Sequence, residues 1–135
     1  MRAELTDLAV MEGEPMNGIV LAAANVAARY GVMGAEIPLS PTPETVKALA
    51  DMTVVVTDGS GAKLAEGKGS AVLGNSLNVA IWIARDLAAS GTRLKAGDLI
   101  SVGSFTPLTP PKPGQTVTAR YDGLPCNPQV SVSFK

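Results

Sequence analysis

The chain has no histidine, a single cysteine, one tryptophan, two tyrosines, two phenylalanines and no run of basic residues. Without histidine there is no Ser-His-Asp triad, no Cys-His pair, no imidazole general base and no histidine-type zinc site. Chemistry is left to carboxylates, lysines, hydroxyls and the backbone. One cysteine, Cys126, permits no internal disulfide, so the cytoplasm is the expected compartment. Its place between Pro125 and Asn127 reads as a loop thiol without a catalytic role. Lys and Arg number 11 against 12 Asp and Glu, so no nucleic acid or anionic membrane is expected as a partner. The longest apolar run, residues 19–28, is too short and too alanine-rich to span a bilayer. Arg2 is soon followed by Glu4 and Asp7, which does not fit the basic region and apolar core of a secretory signal. Gly59-Ser60-Gly61 lacks the lysine and spacing of a phosphate-cradling loop and reads as a hairpin turn.

What is present suits one compact α+β domain. A length of 135 residues is that of a single domain, able to bury roughly two-thirds of its unfolded surface. At 46% hydrophobic and 17% charged, against a norm of roughly 25% charged, the chain carries an apolar excess. That excess points to a subunit interface or a companion domain, hence to a homo-oligomer or pairing with a related chain.

The first residues, to Gly18, read as polar and irregular, with Glu12, Glu14 and Pro15 interrupting any period. Residues 19–30 read either as a short helix or as a buried extended segment, and Val32-Met33 as a strand. Thr42, Pro43 and Glu44 have the chemistry of a helix start, with the helix stopping near Ala50. Residues 52–57 and 63–67 form a hairpin around Asp58-Gly59-Ser60-Gly61. Leu77, Ala80, Ile81, Ala84, Leu87 and Ala88 then predict a long helix packed on a sheet, capped by Asn75 or Ser76 and ended by Gly91. Three further strands are expected at residues 99–102, 116–121 and 130–134, the last two with strict alternation. Short connections make the sheet mixed or antiparallel. The four prolines of residues 107–113 form a stiff connector.

Four short segments in order, Leu73-Gly74-Asn75-Ser76-Leu77-Asn78-Val79-Ala80-Ile81-Trp82, Leu94-Lys95-Ala96-Gly97-Asp98, Gly103-Ser104-Phe105-Thr106 and Pro113-Gly114-Gln115-Thr116-Val117, carry a family likeness. Together they resemble the C-terminal part of the 2-keto-4-pentenoate hydratases. These belong to the fumarylacetoacetate hydrolase-like superfamily, which also holds 4-oxalocrotonate decarboxylases and C–C hydrolases. The resemblance implies a β-roll-like sheet with one long packed helix and one or two short ones. It also implies hydration of a 2-hydroxy- or 2-keto-dienoate from aromatic-compound degradation, with a divalent metal, Mg²⁺ or Mn²⁺, stabilising an enolate.

Family carboxylates hold that metal through a Glu-x-Glu pair and a Glu-Leu-x-Asp-type segment. Glu4-Leu5-Thr6-Asp7 matches the second, which makes Glu4 the expected metal ligand, with Glu12 and Glu14 as weaker rivals. A Glu4 that is simply an exposed acid is the other reading. No Glu-x-Glu precedes Glu4, so residues 1–135 read as a single domain of this type lacking that upstream segment. Ser104 and Thr106 are the expected substrate-binding hydroxyls, unless they satisfy backbone groups at a strand end. Asn25 is either a pocket-lining amide or an amide at a helix end. No general base is assigned. Two classes of function stay open: a metal-dependent hydratase or one of its decarboxylase or hydrolase relatives, and a non-catalytic binding or assembly domain of the same fold.

Overall fold

A computed structural model describes residues 2–8, 17–23, 28–110 and 112–135. The element order is β1 (Arg2–Leu8), α1 (Gly18–Ala23), β2 (Ala28–Glu36), α2 (Pro43–Asp51), β3 (Thr53–Asp58), β4 (Lys63–Lys68), α3 (Ser76–Ala89), β5 (Thr116–Asp122) and β6 (Gln129–Ser133). The fold is α+β, with an antiparallel four-stranded sheet in the order β4-β3-β5-β6 and a separate antiparallel hairpin of β1 and β2. The hairpin lies against β5 and β6.

Period-two patterning builds the sheet. Val54 faces Tyr121 and Val56 faces Ala119 across β3 and β5, while Ala119 faces Val130 across β5 and β6. All five are buried, and Leu49, Met52, Val117 and Leu124 complete one core. The other side of the sheet is polar and wet. There Thr116 and Ser133 share a hydrogen bond at 2.8 Å, and Thr118 and Ser131 another at 2.7 Å. The β3–β4 turn is tied by Asp58, whose carboxylate accepts from the Ser60 amide and hydroxyl and from the Ala62 amide. These donors, the Ser60 hydroxyl foremost, hold the Asp58 carboxyl below the usual range.

Both long helices start as their caps dictate. Thr42 Oγ1 accepts from the Thr45 amide at 3.3 Å, Pro43 occupies the first turn, and α2 runs to Asp51. The carboxyl of Glu44 is lowered by its own backbone amide and by the Thr42 hydroxyl. At the start of α3, Asn75 serves two helices: its Oδ1 accepts from the Leu77 amide at 3.0 Å and its Nδ2 donates to the Val46 carbonyl of α2 at 2.8 Å. Asn75 is the cap, and Ser76 is the first helical residue. At the far end Gly91, with φ of 77°, closes the helix as its Gly91 and Thr92 amides donate to the Ala88 and Leu87 carbonyls.

Four expectations are corrected. The polar first segment is not irregular throughout, since residues 2–8 form β1; a strand whose partner lies twenty or more residues away leaves little local signal. Residues 19–30 are not one element but the end of α1 and the start of β2. Residues 99–102 form no strand: no strand among the described residues pairs with them, and Leu99 stays exposed. The stripe of α3 is not packed on the sheet. Among elements of the described residues its principal contact is α2, and Leu77, Ile81 and Ala88 are exposed while Val79, Ala80, Ile83, Ala84 and Leu87 are half-buried. Apolar residues occupy more than one face of this helix, so periodicity alone selects the wrong one.

Ile81→Ala is therefore expected to change the stability of the dilute chain by no more than about 0.5 kcal/mol, because little burial is lost and alanine is the better helix former. Chemical denaturation checks this; a loss of about 2 kcal/mol or more would show Ile81 to be core.

Candidate functional site

The segment that carries the two expected hydroxyls is laid directly on β4. A Cβ built on Gly67 would fall 1.8 Å from the Phe105 carbonyl oxygen and 2.7 Å from its carbon. Glycine is thus required at 67, inside a strand, so that the backbone of residues 103–106 can approach. On the other side the Phe105 ring meets Tyr121 edge to face, centroids 6.2 Å apart at 86°. Gly103 supplies the turn with φ of 99°. The loop is held between a glycine on β4 and an aromatic contact to β5.

Within it the two hydroxyls differ. Ser104 Oγ donates to the Thr106 carbonyl at 2.6 Å, so its proton is used inside the turn. The hydroxyl of Thr106, a half-buried residue, makes no hydrogen bond among the described residues, and its methyl lies towards Gly67. A free hydroxyl beside an accessible backbone can donate to a carboxylate or keto oxygen.

Glu4 stands elsewhere. It lies on β1 opposite Met33 of β2, in the hairpin that contacts β5 and β6, whereas residues 103–106 lie on β4 at the other end of the strand order. Asn25, Glu12 and Glu14 fall outside the described residues. Among the described residues no group of three or more Asp, Glu or Cys could hold a metal ion. A hard cation takes several oxygen ligands, and of the three acidic residues expected near it only Glu4 falls among the described residues.

Three lysines are engaged by neighbours. Lys63 pairs with Glu66 at 3.0 Å, Lys47 with Asp51, and Lys68 donates to Thr53 Oγ1 at 2.7 Å, all at the surface. A shallow depression of about 450 Å³ lies beside α2, bordered by Leu39, Glu44, Thr45, Ala48, Gly123 and Leu124. It is open and mostly apolar, with Glu44 its one acidic group. Cys126 is exposed, as expected of a loop thiol.

Sequence reading missed Gly67 and the double role of Asn75. An isolated glycine within a strand is a sign of close backbone approach and would have pointed to the first. The second joins residues 29 positions apart and has no local signature.

No protein-family model matches the chain. It is 43% identical over 61 residues to a 2-keto-4-pentenoate hydratase of Paraburkholderia phymatum, a stretch that is 45% of this chain and 23% of that protein. It is 42% identical over 64 residues to a 2-keto-4-pentenoate hydratase of Burkholderia vietnamiensis, covering 47% of this chain and 24% of the relative. To a 4-oxalocrotonate decarboxylase of a Pseudomonas species it is 37% identical over 70 residues, 52% of this chain and 26% of that one. The matches span about a quarter of the relatives' length. Among solved structures, 4-oxalocrotonate decarboxylase from Pseudomonas putida, complexed with magnesium and adipate, superposes with a TM-score of 0.77 at 31% identity over 92% of this chain and 44% of that one. The same enzyme complexed with calcium and acetate gives 0.73 at 32%, over 87% and 42%. No helix among the described residues is long and apolar enough to cross a membrane. The chain is hydratase-like in sequence and decarboxylase-like in fold.

Proposed function

We propose that this chain is a hydratase-type unit of the fumarylacetoacetate hydrolase-like superfamily, built on the β-roll type of its C-terminal part, that engages a 2-hydroxy- or 2-keto-dienoate from aromatic-compound breakdown. The observation that carries the reading is the superposition over 92% of the chain at 31% identity on a decarboxylase from the same chemical context. A decarboxylase acting on the same class of acid is the alternative within that context. In either case the chain's own contribution is to hold the acid: Thr106 donates its hydroxyl, Ser104 accepts through its lone pairs, and Gly103 lets the ligand come close to the backbone. Phe105 fixes the loop through Tyr121.

The solved relatives are complexes with magnesium or calcium. In this chain Glu4 is the residue to test for such an ion, because the described residues assemble no acidic cluster. That lack favours a second reading, a binding or assembly domain of the same fold without catalysis of its own.

Calorimetric titration with Mg²⁺ and with Mn²⁺, in the presence of oxalate as a mimic of the 2-keto acid head, separates the two. Under the first reading binding is seen, disappears in Glu4→Gln, and weakens severalfold for oxalate in Thr106→Val. No binding at millimolar metal would remove the enzyme reading for the chain by itself and leave the binding domain.

A further inference from the structure

We propose that Asn17-Gly18 is a self-modifying site, at which the Gly18 amide nitrogen displaces ammonia from the Asn17 side chain and leaves an aspartate or an isoaspartate at position 17.

Asn17-Gly18 is the one Asn-Gly pair in the sequence, and both residues are exposed. Glycine matters because a nitrogen without a neighbouring Cβ is unshielded and its backbone is free to turn as a ring closes on it. Nothing stands within 4 Å of the point where a Gly18 Cβ would lie, so the attacking residue is open on that side as well. Gly18 is the first residue of α1, and a first-turn amide has no helical carbonyl to hold its proton.

The fold adds what the dipeptide by itself lacks. Asn17 Oδ1 accepts from the Ile19 and Val20 amides, each at 3.0 Å. Those bonds draw the side chain back over the peptide that follows it. They also set two donors on the oxygen where negative charge develops when nitrogen adds to Cγ, which is how an oxyanion hole acts. Nδ2, the departing group, makes no hydrogen bond among the described residues, so nothing there retains it.

The step balances with water and hydroxide alone. Hydroxide takes the Gly18 amide proton, the nitrogen pair forms a bond to Cγ, and the carbonyl π pair moves to Oδ1. When that pair returns, the Cγ–Nδ2 bond breaks and Nδ2 leaves as ammonia with a proton from water. Water then opens the five-membered imide at either carbonyl. One opening gives an aspartate, which keeps an oxygen for the two amides and adds a negative charge at the positive end of the helix dipole. The other gives an isoaspartate, whose extra main-chain carbon moves the carboxylate out of register with them.

The remaining asparagines lack this combination. Asn75 is 8% exposed and its Nδ2 is held by the Val46 carbonyl. Asn78 Nδ2 is held by the Leu73 carbonyl, and β-branched Val79 follows it inside α3. Asn127 precedes Pro128, which has no amide proton to lose. Asn25 precedes Val26, whose branches crowd the nitrogen.

Incubation of the intact folded chain in mildly alkaline buffer, followed by peptide mapping and mass spectrometry, tests this. The peptide holding position 17 alone should gain the mass difference between an amide and an acid, faster as pH rises, and an isoaspartyl methyltransferase should label part of it. Gly18→Ala should slow the conversion at least ~10-fold with the circular dichroism unchanged, since the added methyl meets nothing. In urea, where Asn75 is released from Val46, conversion should appear at Asn75 as well. An amide retained at position 17 throughout, or conversion at Asn75 as fast as at Asn17 in the folded chain, would overturn the proposal. So would a rate unmoved by Gly18→Ala, which would assign the loss of ammonia to direct attack by water.

Discussion

Met52→Ala is expected to lower the unfolding free energy by about 3 kcal/mol, within the ~2–5 kcal/mol range of buried large-to-small changes. Met52 is 1% exposed and sits at the junction of everything the core contains. Its amide donates to the Ala48 carbonyl at the end of α2, its carbonyl accepts from Gly69, and β3 begins at the next residue. A Cβ built on Gly123 would come within 3.6 Å of the Met52 Cα. The site cannot easily collapse, because the backbone around it is already fixed by those bonds. Urea denaturation should show the midpoint fall with little change in slope. A loss below about 1 kcal/mol would mean that the core is centred elsewhere.

The second large effect is expected at Gly67. Adding one methyl group there places a carbon 1.8 Å from the Phe105 carbonyl oxygen, which no rotamer change can relieve because the obstacle is backbone. The loop of residues 103–106 must lift, and the Phe105–Tyr121 contact is lost with it. Gly67→Ala should cost roughly 1–3 kcal/mol, as overpacking does. In a Phe105→Ala background the same substitution should cost clearly less, since the contact it breaks is already gone. Full additivity in that double-mutant cycle would show that the loop does not rest on β4 as described. If the loop also holds the acid, oxalate binding should fall in Gly67→Ala even at temperatures where the protein stays folded.

Much of this architecture was legible because it is written locally. Thr42, Pro43 and Glu44 define the start of α2 through bonds no more than three residues long, and Asp58 closes its hairpin through Ser60 and Ala62. Val117, Ala119, Tyr121 and Val130 alternate with Thr116, Thr118, Arg120 and Ser131, so their inward faces follow from the period alone. The illegible parts are all relations between distant segments. β1 needs β2, residues 99–102 would have needed a strand to pair with, and the covered face of α3 depends on what lies beside it rather than on its own period.

The same division holds for the site. Ser104 and Thr106 stood out as hydroxyls among glycine and proline, and the loop they occupy is a built one. What fixes that loop, Gly67 beneath it and Tyr121 beside it, lies 37 and 17 residues away from Ser104 and has no trace in the segment itself. Glu4 matched a motif, but a motif of one carboxylate does not specify where its companions come from.

The hydroxyl ladder on the open side of the sheet gives β5 two different histories. Inward, at Val117, Ala119 and Tyr121, one methylene more or less disturbs close packing. Outward, Thr116 and Thr118 are satisfied by Ser133 and Ser131 in contact with water, so another polar pair would serve as well. Drift in this strand would accumulate at every second residue and be purged at those between, leaving the sheet's geometry recorded as a rhythm of permitted and forbidden change.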